Sequence, residues 1–302
     1  MWLFIATLLI SLMDTARGSS APYILLNIDK EQRVAIAQTL PDPLQPKKFK
    51  ILKKFPIAYG KSKGDKQVEG DNKTPEGLYF ARPHIPKSRL LQSKYGPRAI
   101  PLNFPNPIDR IHRKSGHGIW LHGAGDDHRM ENIFVTEGCV AFYNKDILAV
   151  SEFLKPYQSI VSISKNLSQF NSPEHIQQIA QRTLEWSQAW KERRVDDYIR
   201  YYHPDFVYKG KNISKYQKHK ARIFNSYKKI SLTMENLRVI AHDKYALSIM
   251  NQEFLGDNRF ESVGRKVLYW INSHGLWQII HESFSNRKFE PLSLDLKEQE
   301  KA

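Results

Sequence analysis

The chain has 302 residues, 41% of them hydrophobic, which is enough for one large domain or two ordinary domains with buried cores. Its formal net charge of +15 predicts attraction to anionic surfaces. The single cysteine excludes an internal disulfide, so the domains must be held together by their cores.

The first 18 residues have the pattern of a secretory signal peptide. An apolar run extends from Trp2 to about Met13, and the small residues Ala16 and Gly18 precede a possible cut after Gly18. The run is shorter than the ~20 apolar residues that a spanning helix needs. An uncleaved anchor stays open, because no Lys or Arg precedes the run. Export to the periplasm or cell envelope makes an anionic wall polymer or membrane surface the expected counter-charge, and argues against nucleic acid.

Residues 21–165 show a mostly β pattern. Short apolar runs bounded by turn residues predict strands, and the stretch from Gly60 to Gly77 predicts an exposed loop. A helix is expected from a cap at Asn144 to just before Pro156, and the polar residues 166–173 predict a linker. The strands are expected at 23–27, 33–37, 49–52 and 160–163.

Residues 118–143 contain the candidate chemistry. Cys139 follows a glycine turn, and His122 ends an apolar run. A thiol is a strong nucleophile only as the thiolate, and a nearby imidazole can take its proton. Strands at 119–121 and 133–135, joined by a loop and followed by a turn, could return the thiol to the imidazole.

A glycine lies directly beside each of the two candidate catalytic residues. Gly123 follows the histidine and Gly138 precedes the cysteine. Glycine permits close approach of a peptide substrate, and backbone N–H groups near Cys139 could form an oxyanion hole.

Four sequence blocks occur in a fixed order in this half of the chain. They are Lys63-Gly64-Asp65 with Lys73-Thr74-Pro75-Glu76-Gly77-Leu78-Tyr79, Tyr95-Gly96 with Leu102-Asn103-Phe104-Pro105-Asn106, then His122-Gly123, and finally Thr136-Glu137-Gly138-Cys139. In these blocks the chain resembles the L,D-transpeptidase family of the bacterial cell wall, which has the YkuD-type catalytic domain. One departure is Ala141, where many members have arginine.

The resemblance implies a mostly β, YkuD-type sandwich with Cys139 and His122 as the catalytic pair. It also implies that the Gly123 carbonyl holds the imidazole in its useful tautomer, and that Thr136 and Gly138 form the turn before the nucleophile. No cofactor is expected.

The implied reaction is acyl transfer on peptidoglycan tetrapeptide stems. Cys139 would attack the bond between an L-centre and D-Ala, release D-Ala and leave a thioester. An amine acceptor gives 3→3 cross-linking, D-amino-acid exchange or lipoprotein attachment. Water gives L,D-carboxypeptidase trimming to the tripeptide, and the domain arrangement also resembles carboxypeptidases that set helical cell shape. A non-catalytic wall-binding scaffold is the third alternative. Stem peptides, and other wall-synthesis proteins, are the expected partners.

Cationic side chains in this half are candidates to face acidic stem peptides, with Tyr95 beside them. These candidates are Lys61, Lys63, Lys73, Arg82 and Arg98. A zinc cluster of His117, His122 and His128 with Asp126 and Asp127 is a further reading. No HExxH or CxxC spacing supports it, so no metal is predicted. A papain-like protease is disfavoured because the cysteine precedes the histidine in that family.

Residues 174–285 have a different pattern, with helical spacings first and strand-like runs afterwards, which predicts an α+β cone. The run from Trp186 to Phe206 resembles the nuclear transport factor 2-like (NTF2-like) superfamily. Its aromatic residues could line a pocket, although core packing is the expected role: Tyr198, Tyr202, Tyr269, Trp270 and Trp277. With no persuasive acid/base pair, the domain is predicted to bind the wall or to form a homodimer. Residues 286–302 are predicted to be a polar tail.

Overall fold

The computed structural model describes residues 21–292 apart from 133, 169, 243 and 258. The predicted signal peptide and residues 293–302 of the predicted tail lie outside this part of the chain. Within it, no helix is both long and apolar enough to cross a membrane.

The larger sheet of the N-terminal half has five strands. The neighbouring strands β1 (Ile24–Asp29) and β10 (Ile160–Ser164) run parallel, and the other neighbours are antiparallel. Both strands are buried along their whole length, although polar residues alternate with apolar ones at 26–29 and 161–164. In spatial order the strands are β3 (Ile51–Pro56), β2 (Val34–Thr39), β1 (Ile24–Asp29), β10 (Ile160–Ser164) and β5 (Gly77–Phe80).

Two small sheets form the second layer. Apolar side chains from both layers share one buried cluster, which includes Leu26 and Tyr79 from the large sheet and Leu121 and Phe142 from the small ones. This packing confirms the predicted β-sandwich. The small sheets are β6 (Ala99–Pro101), β7 (Trp120–Gly123) and β9 (Val140–Phe142), and beside them β4 (Tyr59–Gly60) and β8 (Phe134–Thr136).

Short helices connect these strands. The prediction that Asn144 caps a helix was wrong, because Tyr143 is the N-cap and Asn144 is the first helical residue. The Asn144 amide instead bonds to the N–H and the carbonyl of Gly125, so a tertiary contact outweighs the local preference of Asn for caps. The α-helices are Gln92–Tyr95, Pro107–Ile111 and Asn144–Glu152, and 3-10 turns lie at Lys87–Arg89 and Asp127–Glu131.

The C-terminal half packs three helices on an antiparallel sheet, which confirms the α+β prediction. The sheet is a meander of β11 (Ile230–Ala241), β12 (Ala246–Gly256), β13 (Phe260–Ser273) and β14 (Leu276–Ser285). The helices are Pro173–Lys191, Val195–Ile199 and Ile213–Asn225.

The sequence interpretation missed the helix Ile213–Asn225. Its signals are a cap, in which the Asn212 side chain accepts from the Lys215 N–H, and buried Tyr216 and Phe224 on one face.

The two halves share a buried core. Apolar residues of the large sheet pack against the C-terminal sheet in one cluster that includes Leu78 and Ile160 on one side and Ile249 and Val267 on the other. Phe289, within the predicted polar tail, is buried as well and stacks on Tyr23 with ring centroids 4.4 Å apart. The start of this tail is therefore part of the packed structure.

Candidate active site

The register of two parallel strands places Cys139 near His122. Leu121 of β7 lies opposite Val140 of β9, and His122 lies opposite Ala141. Extending this register by one residue sets Trp120 beside Cys139, and because side chains alternate along a strand, Trp120, His122 and Cys139 share one face. The predicted return strand takes no part in this pairing, since β8 pairs with β4. The thiol approaches the imidazole across adjacent strands.

Backbone atoms at the start of β7 and just before it in sequence hold the thiol. Cys139 Sγ donates to the Gly118 carbonyl at 3.3 Å and accepts from the Trp120 N–H at 3.4 Å. Among the described residues, no hydrogen bond joins Sγ to His122. The thiol must turn away from Gly118 to give its proton to the imidazole, and long catalytic contacts of this kind are common before substrate binds.

The imidazole of His122 is buried and oriented. Its Nδ1 lies 2.7 Å from the Gly123 carbonyl, so Nδ1 carries the proton and Nε2 is the basic nitrogen. The Tyr95 ring packs edge-on against it with centroids 5.1 Å apart. Nε2 has no hydrogen-bond partner in the described part of the chain, and is therefore available as a base.

Close backbone contact joins two of the sequence blocks. A Cβ atom on Gly123 would lie 2.6 Å from Asn144 Oδ1 and 3.1 Å from Gly96 Cα. No side chain fits there, and Gly96 itself has a φ of +64° that favours glycine. The Tyr95-Gly96 and His122-Gly123 blocks are thus coupled by contact.

Thr136 and Gly138 shape the turn before the cysteine. Thr136 Oγ1 donates to the Cys139 carbonyl at 2.7 Å and accepts from the Gly138 N–H at 3.2 Å. Gly138 has a φ of +125°, and a Cβ there would lie 2.8 Å from the Lys73 carbonyl oxygen. Because its N–H is engaged by Thr136, Gly138 acts here as a turn residue, without an N–H to offer an oxyanion.

Both candidate catalytic groups are neutral at physiological pH. Burial raises the pKa of the Cys139 thiol to about 11, against a smaller lowering by the Trp120 N–H. Burial likewise lowers the pKa of His122 to about 4, against the effect of the Gly123 carbonyl. A thiol and a free imidazole, and not a preformed ion pair, are therefore the resting state.

This state predicts the pH dependence of thiol alkylation. Since Cys139 is the only cysteine, iodoacetamide reports on it alone. The thiol pKa near 11 means that the rate should rise about tenfold per pH unit from pH 7 to 10. Mass spectrometry of samples quenched at successive times measures the alkylation rate at each pH. A plateau already reached at pH 7 would instead indicate a thiolate–imidazolium pair.

The residues predicted to bind substrate differ in their relation to the pair. Tyr95 packs against His122, and the backbone carbonyl of Lys73 lies against Gly138 in the turn before Cys139. The Arg98 carbonyl accepts from the Gly123 N–H at 3.2 Å. Within the described chain, no bond links the side chain of Arg82 or Arg98 to Cys139 or His122.

The sequence interpretation did not select two cations whose charge acts on the site. Lys94 lowers the pKa of both Cys139 and His122, and Arg129 lowers that of His122. The Arg129 guanidinium donates to the carbonyls of Ala124 at 2.8 Å and Lys94 at 3.1 Å. Arg129 thus fastens the loop after β7 to the helix that carries Tyr95. Its only signal in the sequence is a charge inside a Gly/Asp-rich loop.

Ala141 lies in a space that cannot hold the arginine found in many family members. It is 1% exposed, in a small cluster with Ala58, Ala124 and Met130. Its N–H and carbonyl both bond to Ala58, at 2.8 and 3.0 Å. The contacts of that family arginine are absent from this chain.

The residues considered for a zinc cluster are dispersed. The exposed His117 pairs with Glu69, and the exposed His128 pairs with Glu131. Nowhere in the described ranges do three His, Cys, Asp or Glu side chains form a group that could hold a metal ion.

The C-terminal domain contains a second candidate site, a cavity of about 370 Å³. Lys220, Lys266 and Glu282 line it together with aromatic walls that include Trp190 and Phe254. Lys266 Nζ lies 2.7 Å from the buried Glu282 carboxylate. The sequence interpretation did not identify this buried ion pair, since it joins neighbouring strands, which local patterns do not reveal.

Lys220 places a second buried cation at this cavity, under the electrostatic influence of the Glu282 carboxylate that pairs with Lys266. It is 8% exposed, and its ammonium has no hydrogen bond or ion pair in the part of the chain described. It lies 4.4 Å from the Trp190 ring centroid, and burial lowers its pKa to about 8. Trp190 Nε1 and Gln252 Oε1, both at this cavity, are also buried without hydrogen-bond partners.

None of the five aromatic residues considered for a pocket lines this cavity. Tyr198, Tyr202, Trp270 and Trp277 belong to the domain core, and Tyr269 belongs to the interdomain cluster. The expected packing role holds for all five.

Comparison with known families defines the class of protein. Residues 23–163 match the L,D-transpeptidase catalytic domain (YkuD), and residues 178–283 match the Cds6 C-terminal NTF2-like domain. The chain thus carries a catalytic domain of the L,D-transpeptidase family followed by an NTF2-like domain.

Similar proteins are found in several bacteria. YafK of Escherichia coli K12, whose name marks its L,D-transpeptidase activity as putative, is 30% identical over 107 residues, which are 35% of this chain and 38% of YafK. Bd1075 of Bdellovibrio bacteriovorus has a TM-score of 0.73 at 24% identity, covering 94% of this chain and 98% of its own. The helical cell shape determining protein Pgp2 from Campylobacter jejuni has a TM-score of 0.70 at 20% identity, covering 92% and 99%. At these identities the two structures share the two-domain fold with this chain.

Proposed function

We propose that this protein is a cysteine L,D-transpeptidase that acts on peptidoglycan tetrapeptide stems through a thioester at Cys139. The main support is the arrangement of a thiol and a basic imidazole nitrogen on one face of β7 and β9, within a domain of the L,D-transpeptidase family. That pair can perform nucleophilic acyl transfer without a cofactor.

The proposed reaction has two halves. His122 Nε2 takes the proton of Cys139 as Sγ attacks the carbonyl carbon before D-Ala. The C–N bond then breaks, the imidazolium gives its proton to the leaving amine, and a thioester remains. In the second half, His122 takes a proton from the acceptor as the acceptor attacks the thioester and displaces Sγ. The imidazolium then returns this proton to Sγ, and the thiol is restored.

The acceptor determines the product. A stem-peptide amine gives a 3→3 cross-link, and a D-amino acid gives exchange at the stem terminus. Water gives the tripeptide, and L,D-carboxypeptidase activity is the alternative that we retain. The fold shared with Pgp2 supports a role in cell shape for either outcome.

The proposed location is the periplasm or cell envelope. The apolar N-terminal run and the net charge of +15 support it, because an exported cationic protein would meet the anionic wall.

The test is incubation of purified disaccharide-tetrapeptide with the protein, followed by mass spectrometry. Dimers with 3→3 linkage or D-amino-acid exchange would establish transpeptidation, and tripeptide alone would establish the carboxypeptidase alternative. Unchanged substrate with no thioester on Cys139 would overturn both, and leave the non-catalytic scaffold.

We also propose that the cavity of the C-terminal domain binds an anionic group of the wall. Lys220 supplies a buried positive charge that shares the Glu282 carboxylate with Lys266, and Trp190 and Gln252 supply an unsatisfied donor and acceptor. A ligand carboxylate would satisfy Lys220 and Trp190 together.

Replacing Lys220 should therefore weaken retention on the wall. We expect Lys220→Met to bind purified peptidoglycan about tenfold less tightly in a sedimentation assay, since a charged hydrogen bond is lost. Lys218→Met removes an exposed charge from the same helix and is the matched control. Equal loss in both variants would show that net charge, and not this cavity, retains the protein.

A further inference from the structure

A cluster of six charged residues lies between the two domains. Lys244 Nζ, from the turn between β11 and β12, lies 2.8 Å from Asp65 Oδ2 and 3.1 Å from Glu76 Oε2. Lys114 also binds Asp65, at 2.8 Å, and Lys30 binds Glu76, at 2.7 Å. The sixth member, Asp109, lies 3.0 Å from Lys114. Of the three lysines, Lys244 alone comes from the C-terminal domain.

The two carboxylates that Lys244 contacts, Asp65 and Glu76, belong to the loop of residues 61–76. The Asp65 carboxylate accepts from the Glu76 N–H at 2.8 Å, so the two acidic side chains converge at the closed neck of the loop. Like charges this close repel each other unless a cation lies between them. Within the described part of the chain, Lys244 is the one cation that bonds to both of them.

The same loop contacts the turn formed by Gly138 and Cys139. Thr74 Oγ1 lies 3.4 Å from the Cys139 carbonyl oxygen and accepts from the Gly60 N–H at 2.9 Å. The Lys73 carbonyl fills the space where a Gly138 side chain would stand. Any change in the loop at residues 73–76 therefore reaches the backbone of Cys139.

Tyr245, the residue after Lys244, anchors the turn between β11 and β12. Tyr245 is 1% exposed, and its hydroxyl accepts from the Leu78 N–H at 2.6 Å and from Asn106 Nδ2 at 2.7 Å. These bonds fix the C-terminal domain against the strand that immediately follows Glu76. Lys244 is thus held at a defined place on the loop.

We propose that Lys244 is a positioning residue for the catalytic cysteine, and that the C-terminal domain thereby completes the active site of the catalytic domain. The proposal rests on the proposed function. Lys244 holds the neck of loop 61–76 closed, which keeps Thr74 and the Lys73 carbonyl against the Gly138–Cys139 turn. The C-terminal domain is then part of the catalytic apparatus in addition to any ligand that it binds.

The test compares full-length Lys244→Met, Lys244→Arg and wild-type protein. We expect Lys244→Met to lower kcat for D-Ala release from disaccharide-tetrapeptide by about tenfold, because a small displacement of a nucleophile is costly, with KM within about twofold. Lys244→Arg, which can still bridge two carboxylates, should restore most of the rate. Lys288→Met removes an exposed ion pair with Glu253 in the same domain and should leave kcat unchanged.

Two further readouts keep the test decisive. Tyr245→Phe retains the ring but loses the hydroxyl bonds, and should lower kcat in the same direction. The rate of Cys139 alkylation by iodoacetamide should change in Lys244→Met even if the wild type does not turn over this substrate, so failure of the proposed function can be told apart from failure of this inference. Wild-type kcat and alkylation in Lys244→Met would overturn it. The proposal would also be overturned if the loss of kcat in Lys244→Met matched only its unfolded fraction. An equal loss of kcat in Lys244→Arg would overturn it as well.

Discussion

The Cys139→Ala variant is expected to lose turnover of the tetrapeptide stem by at least about 10³-fold. Alanine has no nucleophilic atom, so neither the thioester nor any product derived from it can form. Among the described residues the Cys139 side chain makes two hydrogen bonds, to Gly118 and Trp120, so the folded structure should persist. Release of D-Ala, measured by mass spectrometry, together with an unchanged circular dichroism spectrum, tests both expectations.

His122→Ala should lose turnover to a comparable extent, because the groups of one catalytic unit do not contribute additively. His117→Ala removes an exposed imidazole whose side chain is 84% accessible, and serves as the control. If Cys139→Ala kept the wild-type rate, a thioester mechanism would be untenable. If only His122→Ala kept it, another base would have to be sought.

Glu282→Ala should destabilise the protein by about 3–5 kcal/mol, the range for removing one partner of a buried ion pair. The Glu282 carboxylate accepts from the Tyr216 hydroxyl at 2.6 Å and the Tyr202 hydroxyl at 3.0 Å, and it pairs with Lys266. Its loss leaves Lys266 and Lys220 as neighbouring buried cations without a counter-charge. Urea unfolding at pH 7 measures the difference.

The same carboxylate predicts how stability depends on pH. Burial opposes ionisation of Glu282, but Lys266 and Lys220 prevail and lower its pKa from 4.5 to about 2. A lowered folded-state pKa means stability that is fully present above the unfolded value and is lost as pH falls from about 4.5 towards 2. The difference between wild type and Glu282→Gln should therefore shrink across that window.

A control for both experiments is Glu253→Ala, which breaks an exposed pair with Lys288. It should change the free energy of unfolding by less than about 1 kcal/mol. An effect of Glu282→Ala no larger than this would mean that water or an internal rearrangement compensates the two lysines.

The sequence predicted the features that depend on local pattern. The strands around Cys139 and His122 have short apolar runs bounded by glycines, and both layers of the sandwich follow from such runs. The β7–β9 pairing could not be predicted in this way, because the register of strands distant in sequence is set by packing in three dimensions.

Features missed in the sequence depend on long-range contacts. Lys266 and Glu282 lie on adjacent strands, and Lys244 reaches Asp65 from 179 residues away. No periodicity marks such pairs. The raised thiol pKa was equally hidden, because its largest cause is burial, which depends on how the folded chain surrounds Cys139.

The burial of the Cys139 thiol also bears on its chemical lifetime. Peroxide attacks the thiolate, and a thiol with a pKa of about 11 is almost entirely protonated at neutral pH. Under the proposed function, Cys139 would thus rest as the thiol, and would meet oxidants as the thiolate only during the brief transfer of its proton to His122. Under the proposed function and location, slow activation of the sulfur would protect an enzyme that has no second cysteine to repair a sulfenic acid.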